Sequence, residues 1–169
     1  MPITGVSAFA AAWEDYDGDN DLDLYVANDF GHNNLYRNDA GHFVDVADIV
    51  HAQDTGAGMA VTWGDYNNDG WMDLYVSNMF SSAGSRITHQ PGFRTQATEA
   101  ERSTYQRHAK GSTLLENLGN GRFRDVSEIS QISVARWAWG NTFADINHDG
   151  RADLIAVNGY ITQEREDDL

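Results

Sequence analysis

Apolar and polar positions alternate with a two-residue period in three short stretches of this 169-residue chain. Phe9, Ala11 and Trp13 occupy every second position of the first stretch, Met59, Val61 and Trp63 of the second, and Trp139, Asn141 and Phe143 of the third. A two-residue period places all members of a set on one side of a β-strand, so each stretch predicts a strand with one buried face. Each strand runs into a polar loop of Asp, Asn and Gly. The chain then emerges in a second β-branched and aromatic run, at 22–28, 73–78 and 153–158. Such runs, bounded by turn-forming clusters, also read as strands, so each polar loop is a long hairpin connection.

A further block occurs twice. Residues 35–46, from Leu35 to Val46, parallel 114–126, from Leu114 to Val126, and each reads as a strand, a Gly-containing turn and another strand. The repeating unit is therefore four strands: first strand, polar loop, second strand, short loop, terminal hairpin. Unit one covers about 5–50 and unit two about 55–132; unit three begins near 134 and stops at 169 before a second hairpin. Corresponding loop positions are 50 residues apart between units one and two, and 80 between units two and three. Four antiparallel strands in a unit of roughly 45 residues predict an all-β fold of β-propeller blades. About two and a half blades are present, an incomplete propeller formed by one repeat region over 1–169.

The extra length of unit two falls in residues 81–111, between its second and third strands. Residues 81–85 (Ser-Ser-Ala-Gly-Ser) predict flexible loop, and Gln90-Pro91-Gly92 a turn. Thr98 followed by Glu101 matches a capping box, and 99–110 predicts a helix stopped by Gly111. The insertion is thus partly helical.

The three polar loops share one register. Loop one places Asp15, Asp17, Asp19 and Asp23 at positions 1, 3, 5 and 9. Loop two places Asp65, Asn67, Asp69 and Asp73 there, and loop three Asp145, Asn147, Asp149 and Asp153. Oxygen ligands at this spacing suit a hard divalent cation, since Ca²⁺ takes six to eight oxygens from carboxylates, amides, carbonyls and water. Backbone carbonyls at position 7, from Asp21, Trp71 and Arg151, complete each expected set, for up to three Ca²⁺. An EF-hand loop would close with Glu at position 12 and lead into a helix; here Val26, Val76 and Ala156 stand there, inside strands. Position 6 carries Asn20, Gly70 and Gly150, residues that tolerate the positive φ of a sharp bend. Loop one, with five carboxylates against three in each of the others, is expected to bind most tightly.

On these loops and their flanking strands, the chain resembles the FG-GAP/VCBS repeats of integrin-α-type propellers, with Trp63-Gly64 standing where the "FG" does. It is most similar to the secreted cartilage-acidic-protein (ASPIC) type of bacteria and animals. The resemblance implies a seven-bladed propeller with calcium on hairpin loops at the rim of one face. It also implies a binding or adhesion role, usually without catalysis. An isolated run of blades leaves an apolar face and an edge uncovered, so self-association or packing against further blades of a larger protein is expected.

Composition agrees with the loops. The net charge is −15, and eleven of the 26 acidic residues lie in the three loops. Three bound Ca²⁺ would bring the net charge to about −9. Such acidity argues against nucleic acid and anionic membranes, both of which select basic surfaces. There is no cysteine, and hence neither disulfides nor thiolate metal sites. The first residues lack the charged and apolar regions of a signal peptide, and no apolar run approaches the ~18 residues of a membrane span. Calcium loops of this type predict an extracellular or periplasmic setting, where weak calcium modules operate.

Other candidates fall outside the loops. Five of the eleven basic residues (Arg86, Arg94, Arg102, Arg107 and Lys110) lie in the insertion. Within a module expected to recognise a protein or glycan ligand, they read as a contact surface for an acidic partner or a ligand pocket at the propeller face, or as cations paired to nearby carboxylates that tether the helix to its blade. Trp13, Trp63, Trp137 and Trp139 lie in first strands, where core packing is expected; Trp71, at loop position 7, is the candidate for an exposed ligand contact. His32, His42 and His51 show no zinc spacing, and His148 is expected to face solvent. No nucleophile or phosphate-loop motif is present. An enzymatic alternative, a polysaccharide-active site, would need Tyr105, Arg107, His108 and Lys110 to converge on one cleft. A third possibility is a scaffold segment that only completes a larger ring.

Overall fold

The computed structural model describes residues 7–132 and 135–158. Strands β1 (Ala8–Glu14), β2 (Asp23–Asn28), β3 (Asn34–Asp39) and β4 (His42–Asp45) form one antiparallel sheet in sequence order. Strands β5 (Gly58–Gly64), β6 (Asp73–Asn78), β7 (Thr113–Asn117) and β8 (Phe123–Asp125) form a second sheet of the same order. Helices α1 (Ser82–Thr88) and α2 (Glu99–Lys110) interrupt it between β6 and β7, and β9 (Ala138–Ala144) pairs with β10 (Asp153–Asn158). These are four-stranded propeller blades, two of them whole. The expected end of the third unit, 159–169, lies outside the described residues.

The register is repeated as closely as the sequence. Ala8 pairs with Asn28 and Glu14 with Asp23; Gly58 pairs with Asn78 and Gly64 with Asp73, and each pairing carries a bulge after its first pair. The first strands β1, β5 and β9 pack side by side. The polar loops leave the ends of these strands, so all three loops gather at one end of the molecule. The β2–β3 connection, the linker from β4 to β5 and the helical insertion lie at the other.

The core sits between blades. Tyr25, Ala27 and Leu35 of blade one meet Leu74, Val76, Leu115 and Phe123 of blade two, with Val61 and Trp63 packed against them. The Trp63 ring stands edge-on to Tyr25 at 6.3 Å, and one blade further on Phe143 stands edge-on to Tyr75 at 6.5 Å. The aromatic two residues before loop two, and that before loop three, therefore pack onto the tyrosine of the preceding blade. This corrects one expectation, because Phe9, Ala11 and Trp13 are not a buried face. Phe9 and Trp13 are each 54% exposed, while Ala10 and Ala12 turn toward blade two. The periodicity is as predicted, but full burial depends on a neighbouring blade: Phe9 meets only the Trp139 ring of β9, at 6.3 Å, and Trp13 the Phe43 ring of its own blade, at 6.0 Å, among the described aromatic residues. Trp137 and Trp139 are also partly exposed; Trp137 precedes β9 and bridges to Met79. Trp63 alone of these four fits the core expectation.

Gly64 lies directly against Phe143 at the boundary of blades two and three. A Cβ there would lie 2.4 Å from Cδ2 of Phe143. Overpacking of this kind costs typically 1–3 kcal/mol. The substitution Gly64→Val is therefore expected to lower the unfolding free energy by about that amount, read as a lower urea midpoint, and an unchanged midpoint would remove Phe143 from this contact.

The insertion departs from expectation at its start. Residues 81–85 are not flexible loop: Ser81 caps α1, its Oγ accepting from Gly84 N at 2.9 Å. A serine offered to three free N–H groups makes a helix start as readily as a loop. Helix α2 has the predicted bounds and capping box, with Thr98 Oγ1 accepting from Glu101 N and the Glu101 carboxylate accepting from Thr98 N.

Arg107 of α2 reaches the linker before β5 and donates to Asp54 at 2.6 Å. Asp54, 4% exposed, accepts further bonds from Thr55 N, Gly56 N, Asn78 Nδ2 and Thr113 Oγ1. Burial alone pushes its carboxyl up, but Arg107 and Thr113 outweigh this and hold it below the usual range. Arg102 pairs with Glu99 one turn away, and Lys110 with Glu128 of blade two. Arg107 and Lys110 thus tether the insertion, while the Arg102 pair stays within α2.

Candidate metal centres

One hydrogen-bond scheme builds all three loops. The carboxylate at position 1 folds the loop around itself. Asp15 accepts from Gly18, Asp19 and Asn20, Asp65 from Asp69 and Gly70, and Asp145 from Asp149 and Gly150, all backbone N–H groups at 2.8–3.1 Å. Short Asx side chains capture backbone donors a few residues on in this way. The position-5 carboxylate then accepts the N–H of position 7: Asp21 on Asp19, Trp71 on Asp69 and Arg151 on Asp149, each at 2.9 Å. Positions 4 and 6 both take positive φ, with Gly18, Asn68 and His148 at position 4 and Asn20, Gly70 and Gly150 at position 6. Loop one thus carries Gly and Asn in the opposite order to loop two and keeps the same bend.

Position 9 is a clamp, fully buried in loops one and two. Asp23 accepts from Tyr16 N of its own loop and from Asn38 N of β3, at 3.2 and 2.8 Å; Asp73 accepts from Tyr66 N and Asn117 N, at 3.0 and 2.8 Å. Asp153 accepts from Ile146 N at 3.2 Å. Each carboxylate oxygen has a second lone pair, so clamping leaves capacity for a cation. Burial pushes the carboxyls of Asp23 and Asp73 up to about 6.

The loops differ at position 3. Asn67 and Asn147 donate an amide N–H to the position-5 carboxylates Asp69 and Asp149, at 2.9 and 3.0 Å. Asp17 has no such donor. Its Oδ1 is buried without a partner, and burial, followed by the Asp19 charge, pushes its carboxyl above the usual range. Asp15, Asp17 and Asp19 bring one oxygen each to within 4.8 Å of one another. Crowded, partly desolvated carboxylate oxygens with one unpaired atom fit a hard cation, which would satisfy that atom and neutralise the cluster. The residues present fit Ca²⁺.

The FG-GAP-like repeat profile matches residues 15–76 and 104–156, which is more than half of the chain. The chain belongs to the FG-GAP-like repeat family. No curated protein matches it. The first FG-GAP match holds loops one and two whole, and the second holds loop three.

Trp71, expected as an exposed ligand contact, is not free. Its ring lies against Gly18 of loop one and Gly119 of the β7–β8 turn. Two residues that sequence reasoning passed over complete the FG-GAP loops. Asn38 donates to Leu22 O, and Asn117, fully buried, donates to Tyr16 O and Met72 O. Both occupy one repeated position, in the blocks beginning at Leu35 and Leu114. A polar residue recurring inside an apolar repeat was the signal available.

At the opposite end, the four residues of the enzymatic alternative do not share a cleft. Tyr105 faces Phe93 and Arg94, His108 stacks on Phe30, Arg107 pairs with Asp54 and Lys110 with Glu128. A cavity of about 290 Å³ does lie between the blades there, lined by His32, His51, Gln53, Arg107, Leu115 and Asp125 among others. His42 is elsewhere, in β4. Among the described residues, no helix is long and apolar enough to cross a membrane.

Proposed function

We propose that this FG-GAP repeat chain is a calcium-binding propeller module that presents a rigid surface for recognition of a protein or glycan, with Ca²⁺ as a structural ion. The observation that carries the calcium reading is the unpartnered, buried Oδ1 of Asp17 beside Asp15 and Asp19. Loops two and three repeat the bonding of positions 1 and 5, with Asn67 and Asn147 at position 3 donating to Asp69 and Asp149. Asp15, Asp17, Asp19 and Asp23 hold the first ion, Asp65, Asn67, Asp69 and Asp73 the second, and Asp145, Asn147, Asp149 and Asp153 the third. The carbonyls of Asp21, Trp71 and Arg151 complete the three sets. A bound ion supplies positive charge that locks each loop and lowers repulsion among carboxylates.

Recognition rather than catalysis is favoured because Arg107 and Lys110 are engaged in tethering the insertion, and Tyr105 and His108 face other partners. The aromatic side of blade one, with Phe9, Trp13 and Phe43 exposed, suits stacking of a further blade or a second copy. Calcium dependence suits an extracellular or periplasmic setting.

Calorimetric titration of chelator-treated protein with Ca²⁺ tests this. Three sites are expected, with loop one tightest and a higher melting temperature in calcium. Absence of heat and of any melting shift at millimolar Ca²⁺ would reduce the loops to Asp-rich turns.

A further inference from the structure

Loops one and two are tied together across the blade boundary by two side chains. Trp71 takes position 7 of loop two, where its N–H is held by Asp69, but its indole leaves that loop. A Cβ on Gly18 would lie 3.4 Å from Cζ3 of Trp71, and a Cβ on Gly119 only 2.5 Å from Nε1. The ring is therefore seated on the residue between Asp17 and Asp19, whose N–H donates to Asp15 at 2.8 Å. Asn117 adds a second tie, because its amide donates to Tyr16 O of loop one at 2.8 Å and to Met72 O of loop two at 3.3 Å. Its own N–H is held by Asp73.

The other loops are built differently. Position 7 of loop one is Asp21, whose carboxylate turns to its own blade and accepts from Ala40 N at 2.9 Å. Position 7 of loop three is the exposed Arg151.

We propose that Trp71, on a blade boundary that Asn117 braces, makes loops one and two a coupled pair, so that Ca²⁺ at either raises the affinity of the other. The inference rests on the calcium reading of these loops. An ion in loop two fixes the Trp71 backbone, and with it the ring against Gly18. Loop one then has fewer conformations to lose when its own ion arrives. Ordering shared between two sites is positive coupling, and it is reciprocal. Trp71 acts here as a positioning residue.

The test is a cycle in the full chain carrying Asp149→Ala, which leaves two sites. Calcium titration of this parent gives the joint affinity; adding Asp17→Ala leaves loop two alone, and adding Asp69→Ala leaves loop one alone. The joint constant is expected to exceed the product of the separate constants by about fivefold or more, falling to less than about twofold when Trp71→Ala is added. A cooperative melt of the calcium-free form certifies folding, and Trp71→Leu, which keeps apolar bulk, replaces the alanine variant if that melt is lost. A joint constant equal to the product in the parent overturns the inference, as does coupling that survives removal of the indole. If the parent takes up no Ca²⁺ at all, the calcium reading itself falls, a result distinct from independent binding.

Discussion

Replacing Asp54 with alanine is expected to destabilise the fold by about 3–5 kcal/mol, the usual cost of removing one partner of a buried ion pair. Asp54 gathers five donors: two N–H groups of its own linker, Asn78 at the end of β6, Thr113 at the start of β7 and Arg107 of α2. Its loss leaves a guanidinium, itself only 20% exposed on its side chain, without its carboxylate. It also frees the linker between blades one and two from the insertion. Urea unfolding of Asp54→Ala, Arg107→Ala and the double variant measures this. The double variant should cost less than the sum of the two single ones, because both remove the same pair. A cost below about 1 kcal/mol for Asp54→Ala would show that the carboxylate is dispensable. The pair also sets an acid limit. The folded carboxyl lies below its usual range, so its contribution is present above the unfolded value near 4 and is lost as pH falls through the folded one.

The metal-free protein is expected to lose stability as pH rises from about 5 to 7, opposite to the Asp54 trend. The cause is Asp23 and Asp73, both fully buried, with folded values of about 6 against about 3.9 for a free aspartate. A raised folded value means that the native state holds the proton more tightly. The stabilising contribution is complete below the unfolded value and is lost as pH passes through 6. Two pH units on each carboxyl correspond to about 3 kcal/mol per group over the whole span from pH 4 to 7, of which somewhat under half falls between pH 5 and 7. Saturating Ca²⁺ requires the ionised form, and its binding releases protons, so the calcium-loaded protein should grow more stable over the same interval. Melting at pH 5 and pH 7, in chelator and in Ca²⁺, checks this directly. Equal melting of the chelated protein at both values would mean that the clamps stay ionised, and parallel profiles with and without Ca²⁺ would separate metal binding from Asp23 and Asp73.

Much of the site was legible because it is local. Asp at positions 1 and 5, Asp or Asn at position 3, and a residue tolerant of positive φ at position 6 all act within nine residues. Their bonds can therefore be written from the sequence alone. The same is true of the Thr98–Glu101 capping box. Helix α1 was missed because Ser81-Ser82-Ala83-Gly84-Ser85 carries no apolar stripe, and its cap matters only once α2 packs beside it.

The sequence by itself determined the strand order of each blade, the three loops with their bends, and membership of a repeat family, since periodicity and short-range hydrogen bonding decide all of these. Tertiary structure alone decided which aromatic faces are covered. Trp13 and Trp63 have the same sequence signature, yet only Trp63 has a tyrosine of a preceding blade against it. Tertiary structure also turned the Trp71 ring from solvent onto loop one, and joined Arg107 to a carboxylate 53 residues away. Burial and pairing at such separations depend on how one blade stacks on the next, which no local pattern encodes.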